Sequence, residues 1–364
     1  MEKHDKGGHN LARKKTLYLE VVPQALDLAK IHRAANLIKK GGIVAFPTET
    51  VYGLCADAMN PKAVMALFKA KKRPLDNPPI VHVGDPEDVK RLAASVPNQV
   101  EKLIERFWPG PLTLVFRRSE TVPAVSVAGL DTIAVRMPKH EVALSLIRES
   151  ECPISAPSAN LSGKPSPTTA FHVLQDLRGR IDAVLDSGPT RIGVESTVLD
   201  VTSDPPIVLR PGGTAIEDLR RALGKVRLHK HIMSEGKQAL RKARSPGMMY
   251  KHYAPNAKLI LVEGALNLVI EKITQLLETY KTEGVSVGVL ATDETAIKYH
   301  ADLVISLGSR FSLDTVASNL FASLRKFDSA HVDVIIAESV PMEGLGLAVM
   351  NRLRKASTYN IIKV

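Results

Sequence analysis

The sequence predicts an α/β protein of two domains, a mixed sheet with helices followed by a small parallel α/β domain. The chain has 364 residues, which is more than one ordinary core holds. In the first part of the chain, strand patterns outnumber the helices that could connect parallel strands, so we expect the first sheet to be mixed. Beyond residue 257, strands and helices alternate strictly, which is typical of a doubly wound parallel sheet.

In the first domain, periodicity predicts an amphipathic helix over 24–40 and a buried strand over 43–46. Asn60-Pro61 predicts a helix start, because asparagine caps helices and proline suits the first helical position. The other predicted strands span 80–83, 112–117, 132–137, 182–186, 196–201 and 206–210. The other predicted helices span 86–94, 98–107, 140–149, 168–178 and 215–222.

In the second domain, the predicted strands span 258–262, 285–290, 302–306, 332–337 and 360–363. The predicted helices between them span 267–281, 293–299, 314–326 and 347–356. We therefore expect a flexible tail over 1–15, a catalytic domain over 16–228, a basic linker over 229–257 and a Rossmann-like domain over 258–364.

The composition favours a globular protein of the cytoplasm. Hydrophobic residues make up 45% of the chain and charged residues 24%. No apolar run reaches the roughly 18 residues of a membrane helix, and the polar first 15 residues do not resemble a secretory signal. The two cysteines, Cys55 and Cys152, form no disulfide framework, and no zinc-site spacing is present.

The positive charge is concentrated in one segment. Between Arg220 and Lys258 there are eleven Lys/Arg residues and one acidic residue, Glu235, while the net charge of the whole chain is +11. A charge confined in this way indicates a local anionic partner, such as a nucleotide or RNA. A solvated linker is the alternative.

Several familiar catalytic motifs are missing from the sequence. There is no GxxxxGK[ST] phosphate loop, no GxSxG elbow, and no GxGxxG after the first strand. Nothing resembles a nucleophile beside a base. An enzyme with this sequence is expected to work by positioning its substrates and by neutralising charge.

Two segments carry candidate binding residues for an anion. The first is Lys71-Lys72-Arg73, followed by Asn77 and, in a strand, His82. Consecutive cations repel one another unless they face water or an anion, and we expect Lys71 and Arg73 to lie on an exposed loop. A solvated basic loop and a core histidine are the alternatives.

The second segment runs from Ser155 to Thr168 and includes Ala156, Ser158, Asn160 and Ser166. Small hydroxyl and amide residues among prolines predict a polar loop of fixed shape, whose donors could line an anion or a sugar. Helix capping and turn chemistry are the alternative explanation.

Further polar candidates lie in or beside predicted strands, and the first of them follows the carboxyl end of a strand, where ligands of open α/β sheets gather. They are Thr50 after the first strand, Thr132 and Arg136 on one face of a strand, Ser196, and Arg210. An arginine at the end of an apolar strand needs an anionic partner, which could be structural or a substrate.

Taken together and in this order, the motifs resemble the signature of YrdC-like threonylcarbamoyl-AMP synthases. The resemblance is carried by residues 47–54, Lys71-x-Arg73 with Ser158-x-Asn160, 131–138, Glu195-Ser196-Thr197 and Arg210-Pro211-Gly212. Residues 245–255 resemble the linker of the family's two-domain form, and 344–356 resemble its C-terminal domain more loosely. Two positions depart from the family pattern, Met249 from the usual lysine and Cys55 from the usual glycine.

The resemblance implies a YrdC-like fold and a reaction. L-threonine, bicarbonate or CO2, and ATP would give threonylcarbamoyl-AMP and pyrophosphate, with magnesium carried on the ATP phosphates. A second enzyme would then transfer the threonylcarbamoyl group to adenosine 37 of tRNAs that read codons beginning with A.

The resemblance also implies roles for single residues. The residues implied to contact the nucleotide are Arg73, Asn77, Thr132, Ser158, Ser166, Arg210 and Tyr250. Those implied to contact threonine are Thr50, His82, Arg136, Ala156 and Ser196, with Arg136 on the carboxylate. Lys71, Arg73, Ser158 and Asn160 are predicted to carry the chemistry.

Two other functions are kept as alternatives. One is a double-stranded-RNA-binding module that uses the basic segment, whose affinity would fall steeply with salt and ignore threonine. The other is carbamoyl transfer in hydrogenase maturation, although those proteins add zinc-binding cysteines that this chain lacks.

A hypothesis for the linker follows from its position and charge. Residues 245–255 would fold over the occupied site as a lid, with Tyr250 reaching the nucleotide and water excluded. A passive tether is the alternative, and direct contact with tRNA is the expectation if the lid hypothesis fails.

Overall fold

The computed structural model describes residues 14–233 and 253–364, which form two sheets with helices around them. The strands of the first sheet are β1 (Leu17–Glu20), β2 (Val44–Phe46), β3 (Gly53–Asp57), β4 (Val81–His82), β5 (Leu112–Arg117), β6 (Thr132–Arg136), β7 (Ile154–Ser155), β8 (Ala183–Asp186), β9 (Thr197–Asp200), β10 (Ile207–Arg210) and β11 (Arg227–Leu228). In the described residues these eleven strands follow the spatial order β1-β8-β2-β3-β7-β4-β6-β5-β9-β10-β11.

The first sheet is mixed, as predicted. Strands β4 and β6 run parallel, as do β5 and β9, whereas β7 runs antiparallel to both of its neighbours. Four of its strands were not predicted, namely β1, β3, β7 and β11. Two of these have only two residues each, which is too short for a periodic pattern to register.

The helices that accompany the first sheet are α1 (Leu28–Lys39), α2 (Pro61–Lys71), α3 (Val89–Leu92), α4 (Asn98–Phe107), α5 (Glu141–Ser150), α6 (Ala170–Leu177), α7 (Ile216–Leu223) and α8 (Lys230–Met233). The predicted cap of α2 is confirmed, because the Asn60 side chain accepts hydrogen bonds from the backbone N–H groups of Lys62 and Ala63. Helix α1 begins four residues later than predicted, because the Asp27 side chain caps it by accepting from Lys30 N–H.

The second sheet consists of β12 (Lys258–Glu263), β13 (Val287–Ala291), β14 (Leu303–Ser306), β15 (Val334–Glu338) and β16 (Ile361–Lys363). Their spatial order is β14-β13-β15-β12-β16, and each observed pairing is parallel. The connecting helices are α9 (Leu266–Thr282), α10 (Asp293–Ala296), α11 (Leu313–Ala330) and α12 (Gly346–Ala356). Helices α9 and α10 contribute to one hydrophobic cluster and α11 and α12 to another, which confirms the doubly wound prediction.

The two α/β units share a hydrophobic cluster. Val51 and Val194 of the first unit belong to the same buried cluster as Leu320 and Phe321 of α11. At Gly193 the backbone has a φ of 77°, and a Cβ atom there would lie 2.4 Å from the Ser318 Cα atom. Glycine at this position therefore permits α11 to approach the backbone of the first unit directly.

An ion pair also joins the two units. The Arg325 guanidinium on α11 donates to the Asp176 carboxylate at 2.8 Å and to the Pro165 carbonyl at 2.6 Å. Pro165 belongs to the polar loop that follows β7, so the second unit supports a loop that carries candidate site residues. Among the described residues, no helix is long and apolar enough to cross a membrane.

Candidate functional site

A cleft lies where several strands of the first sheet end, and it encloses about 620 Å³ including its open mouth. Its lining comes from the ends of β4, β6 and β10, from the loop after β2, and from the loop after β7. The residues that line it are Thr48, Thr50, Val51, Gly53, Arg73, Ile80, His82, Arg136, Ala156, Pro157, Ser158, Asn160, Lys164, Glu195, Ser196, Arg210 and Tyr253.

The cleft is cationic. Among the described residues its lining includes Arg73, Arg136, Lys164 and Arg210, against one carboxylate, that of Glu195. Such an excess of positive charge favours anionic ligands. No group of described His, Cys, Asp and Glu residues could hold a metal ion.

Arg136 has a structural anion as its partner. Its Nη2 atom lies 2.7 Å from the Glu49 carboxylate, and both side chains are nearly buried, with exposed fractions of 4% and 3%. Its Nη1 donates to the Thr50 hydroxyl at 3.0 Å, and its Nε donates to the Gly110 carbonyl at 3.1 Å. The sequence left open whether the anionic partner of Arg136 is structural or a substrate. The structure shows a structural partner, Glu49, and Arg136 also lines the cleft.

His82 is buried beside Arg136 and lines the cleft. Its ring meets the Phe46 ring edge-on, with centroids 6.1 Å apart, and its Nδ1 atom has no hydrogen-bond partner among the described residues. Burial, with the charge of Arg136, lowers the pKa of His82 to about 3. His82 is therefore neutral at physiological pH.

We predict that His82→Gln reduces the pH dependence of stability between pH 6.5 and pH 3. In this range the unfolded chain binds a proton at His82, with an ordinary pKa of 6.5, and the folded chain does not. Stability therefore falls as pH drops through this range, by about 1.4 kcal/mol per pH unit from this group. Urea unfolding at several pH values measures the slope. His300→Gln, at an exposed histidine, should leave the slope unchanged, and an equal slope in His82→Gln would contradict the assignment.

Lys71 lies beneath the cleft and does not line it. Its ammonium donates to the Ser158 carbonyl and, at 2.6 Å, to the Asn160 carbonyl, and 1% of the residue is exposed. Burial, with the nearby Arg73, lowers the pKa of Lys71 well below its ordinary value. The expectation that Lys71 lies on an exposed loop is wrong, because Lys71 ends helix α2 with its side chain turned inward to hold the loop after β7.

Arg73 is only partly exposed and lines the cleft. Its Nε donates to the Asn77 carbonyl at 3.0 Å and its Nη2 donates to the Pro78 carbonyl at 3.1 Å. Burial lowers the pKa of Arg73 to about 10, and the charge of Arg210 contributes to this decrease while Tyr253 opposes it. The Arg73 guanidinium therefore stays charged at physiological pH. The Asn77 side chain is buried beside it, but it does not line the cleft.

The loop after β7 presents polar groups to the cleft in a fixed arrangement. The Ser158 hydroxyl donates to the Asn160 side-chain carbonyl at 2.6 Å. The Asn160 amide in turn donates to the Leu161 and Lys164 carbonyls at 2.7 and 3.0 Å. These contacts confirm a polar loop of fixed shape.

Arg210, at the end of β10, and Ser196, directly before β9, line another part of the cleft. The Arg210 Nη2 donates to the Ser196 carbonyl at 2.8 Å and to its hydroxyl at 3.2 Å. The Ser196 hydroxyl also shares a hydrogen bond of 2.8 Å with the Thr113 hydroxyl. The guanidinium of Arg210 is thereby held at the end of β10, where it faces the cleft.

Glu195 is held from two sides. The Ser166 hydroxyl donates to one of its oxygens at 2.6 Å, and Arg352 of helix α12 donates to the other at 2.8 Å. Burial opposes ionisation, but Arg352 and Arg210 hold the pKa of Glu195 at about 2, so it is ionised. Tyr253, which also lines the cleft, has its ring 5.6 Å from the Arg352 guanidinium carbon and stacks on Phe321 of the second unit.

Most of the residues predicted for the site lie together at this cleft. Those that line it are Thr50, Arg73, His82, Arg136, Ala156, Ser158, Asn160, Ser196 and Arg210. Thr132 does not, because it starts the strand that Arg136 ends, about 13 Å away at 3.3 Å per residue. Ser166 reaches the cleft only through Glu195.

Residues 234–252 lie outside the described residues, and they include Tyr250 and the larger part of the lid proposed for 245–255. Beyond them, Tyr253 lines the cleft and the Ala254 N–H donates to the Gly163 carbonyl at 2.9 Å. No role was predicted from the sequence for Tyr253, Glu195 or Arg352. Glu195 and Tyr253 lie within motifs of the family resemblance, which is the one sequence signal that could have identified them. Arg352 is one of several charged residues in the last helix, and nothing in the sequence distinguishes it from the others.

The fold and the cleft define a two-sheet α/β protein with a cationic cleft in its first unit, which the second unit contacts through Arg352. Residues 36–212 match the Sua5_yciO_yrdC family model, described as Telomere recombination. Residues 214–358 match the model described as Threonylcarbamoyl-AMP synthase, C-terminal domain. The chain belongs to this threonylcarbamoyl-AMP synthase family.

Relatives match nearly the whole chain. The threonylcarbamoyl-AMP synthase of Pyrococcus abyssi is 52% identical over 343 residues, which is 94% of this chain and 98% of that protein. The synthase of Bacillus subtilis is 49% identical over 335 residues, 92% of this chain and 94% of that protein. The crystal structure of P. abyssi Sua5 complexed with L-threonine is similar with a TM-score of 0.91 at 51% identity, covering 96% of this chain and all of that one.

Proposed function

We propose that this protein is an L-threonylcarbamoyladenylate synthase, which condenses L-threonine, bicarbonate or CO2, and ATP to threonylcarbamoyl-AMP and pyrophosphate. The observation that carries the proposal is the cationic cleft, which is lined by three arginines and a lysine in a chain 52% identical to a named synthase. Two anions have to meet in this reaction, and a cationic site brings them together.

The chemistry needs no nucleophile from the protein. The threonine amine adds to CO2 and gives a carbamate. A carbamate oxygen then attacks the α-phosphorus of ATP, the bond from this phosphorus to the bridging oxygen breaks, and pyrophosphate leaves. The protein's part is to align the two substrates and to stabilise the developing charge, and alignment alone can contribute several kcal/mol.

We assign the nucleotide to the side of the cleft that carries Arg73, Ser158 and Arg210. Guanidinium groups bind phosphates through two donors, and the Ser158 hydroxyl adds a neutral donor. Arg73 and Arg210 both line the cleft, so both guanidinium groups are available to one triphosphate. Lys71 supports this side by holding the carbonyls of Ser158 and Asn160.

We assign threonine to the adjoining part of the cleft, which is lined by Thr50, His82, Arg136, Ala156 and Ser196. The two parts meet where Arg210 is hydrogen-bonded to Ser196. In this assignment Arg136 binds the carboxylate, and His82, which also lines the cleft, contacts a polar group of the substrate. Magnesium enters as part of the substrate, on the ATP phosphates, because the single carboxylate of the cleft is already held by Ser166 and Arg352.

The product is a reactive mixed anhydride, so a second enzyme that consumes it is required. We propose that this is a tRNA threonylcarbamoyl transferase and that both enzymes work in the cytoplasm. The segment from Arg220 to Lys258 carries eleven Lys/Arg residues and one acidic residue. Because this segment is strongly basic, we include its direct contact with tRNA in the proposal.

Pyrophosphate release from ATP tests the proposal. Release by the full-length protein is expected to depend on both L-threonine and bicarbonate, with threonylcarbamoyl-AMP formed in equal amount by mass spectrometry. Release that is independent of threonine, or product with no threonylcarbamoyl group, would contradict the proposed function. Binding of double-stranded RNA that ignores ATP and threonine would favour the RNA-binding alternative.

A further inference from the structure

Arg352 of helix α12 lies fully buried at the junction of the two units. Its guanidinium spans residues of the first unit, with Nε donating to the Glu195 carboxylate at 2.8 Å and Nη1 donating to the Pro211 carbonyl at 2.8 Å. Pro211 directly follows Arg210, and Glu195 directly precedes Ser196. Arg352 therefore contacts the backbone and the charge of the wall that carries the proposed nucleotide ligand Arg210.

Glu195 is an unfavourable neighbour for a polyphosphate. It is the one carboxylate among the described residues that line the cleft, and it is ionised. A buried like charge beside a bound anion is costly unless it is compensated. The first unit supplies a neutral donor to it, the Ser166 hydroxyl, whereas the full positive charge at bonding distance comes from the second unit.

We propose that Arg352 is a positioning residue for nucleotide binding. It neutralises Glu195 and holds this carboxylate against Ser166, so that the field of Arg73 and Arg210 remains available to the ATP phosphates. The proposal rests on the proposed function. It gives the C-terminal unit a part in the reaction that is independent of residues 234–252.

Docking of the two units does not by itself account for Arg352. The units are already joined by the shared hydrophobic cluster and by the Arg325–Asp176 ion pair. All three contacts of Arg352 across the junction, with Glu195, Pro211 and Tyr253, involve residues that line the cleft or adjoin one that does. Its location matches a role in the electrostatics of the cleft.

The chain offers a matched control on the same helix. Arg354 forms a similar ion pair with Glu263 at 2.7 Å, and both partners are nearly buried, but this pair lies within the second unit. Arg354→Met thus removes the same charge and a comparable ion pair two residues away, without a contact to Glu195.

The experiment compares Arg352→Met, Glu195→Gln, the double variant and Arg354→Met in the full-length protein. Michaelis constants for ATP and threonine are measured from pyrophosphate release, ATP affinity by calorimetry, and folding by thermal unfolding. Arg352→Met is expected to weaken ATP binding at least about tenfold and threonine binding much less, because Glu195 loses its ion-pair partner, repels the phosphates and draws on the positive charge of Arg210. The double variant is expected to regain ATP affinity to within about threefold of wild type.

Each variant can overturn the proposal. Unchanged ATP affinity in Arg352→Met would contradict it. ATP affinity that stays low in the double variant Glu195→Gln/Arg352→Met would also contradict it, as would a loss of ATP affinity in Arg354→Met equal to that in Arg352→Met. Glu195→Gln alone makes the cleft more positive and is expected to bind ATP at least as tightly as wild type. A clear loss of ATP affinity in Glu195→Gln would show that the Glu195 carboxylate promotes nucleotide binding, which contradicts the proposal. This variant therefore tests the proposal even if Arg352→Met does not fold.

The proposed function and this inference fail in different ways. A wild-type protein that binds no ATP, or releases no threonine-dependent pyrophosphate, contradicts the proposed function. A wild-type protein that does both, together with an Arg352→Met variant of normal ATP affinity, contradicts the role of Arg352 alone.

Discussion

Replacing Arg73 by alanine is expected to raise the Michaelis constant for ATP and to lower turnover, with a combined loss in kcat/KM of about 10- to 100-fold. The guanidinium lines the cleft while two of its N–H groups are held by the carbonyls of Asn77 and Pro78. A charge-assisted bond to a phosphate contributes about 1.5–3 kcal/mol, and this contribution would be lost. Steady-state pyrophosphate release with ATP and threonine varied separately measures the effect.

The neighbouring Lys72 provides the control for charge. Lys72 is exposed and does not line the cleft, so Lys72→Ala removes the same charge one residue away. We expect this variant to keep nearly normal kinetics. A loss in Lys72→Ala as large as that in Arg73→Ala would mean that the net charge of the segment matters, and near-normal kinetics in Arg73→Ala would remove Arg73 from the site.

Replacing Arg136 by alanine is expected to weaken threonine binding far more than ATP binding and to destabilise the fold. The variant loses the proposed ligand of the threonine carboxylate and leaves Glu49 buried without its cationic partner, which lies 2.7 Å away in the wild type. Breaking a buried ion pair in this way typically costs about 3–5 kcal/mol of unfolding free energy. Chemical denaturation and substrate titrations measure the two effects separately.

A second substitution separates stability from substrate binding. The double variant Glu49→Gln/Arg136→Met has no uncompensated charge, so we expect it to recover much of the stability lost in Arg136→Ala. Threonine binding should stay weak, because the guanidinium is still absent. Recovery of threonine binding together with stability would show that Arg136 acts through the fold, and equal weakening for ATP and threonine would point the same way.

The elements that the sequence predicted well are those with a strong local pattern. Helix α2 starts at the predicted cap, and the alternation beyond residue 257 produced the parallel second sheet as expected. The short strands β7 and β11 were missed, because two residues form a strand only when a neighbouring strand pairs with them. The mixed character of the first sheet followed from a count of elements, but its eleven-strand order did not.

In the candidate site, too, some features could be predicted from local patterns and others depended on tertiary contacts. Polar residues at strand ends identified Thr50, Arg136 and Arg210, since the carboxyl ends of strands meet at one edge. The inward direction of Lys71 was not predictable, because residue type alone does not tell whether an ammonium meets water or two carbonyl groups. Thr132 shares a face with Arg136 but lies at the far end of its strand.

The sequence by itself determined the two-domain α/β organisation, the family resemblance and most of the predicted residues that gather at the cleft, because these depend on local periodicity and on motifs read along the chain. The tertiary structure decided which partner each charge has. Arg136 meets Glu49, and Glu195 meets Arg352 from a helix 157 residues away. Such pairings depend on how two separately folded sheets come together, and this information is not contained in any one segment of the sequence.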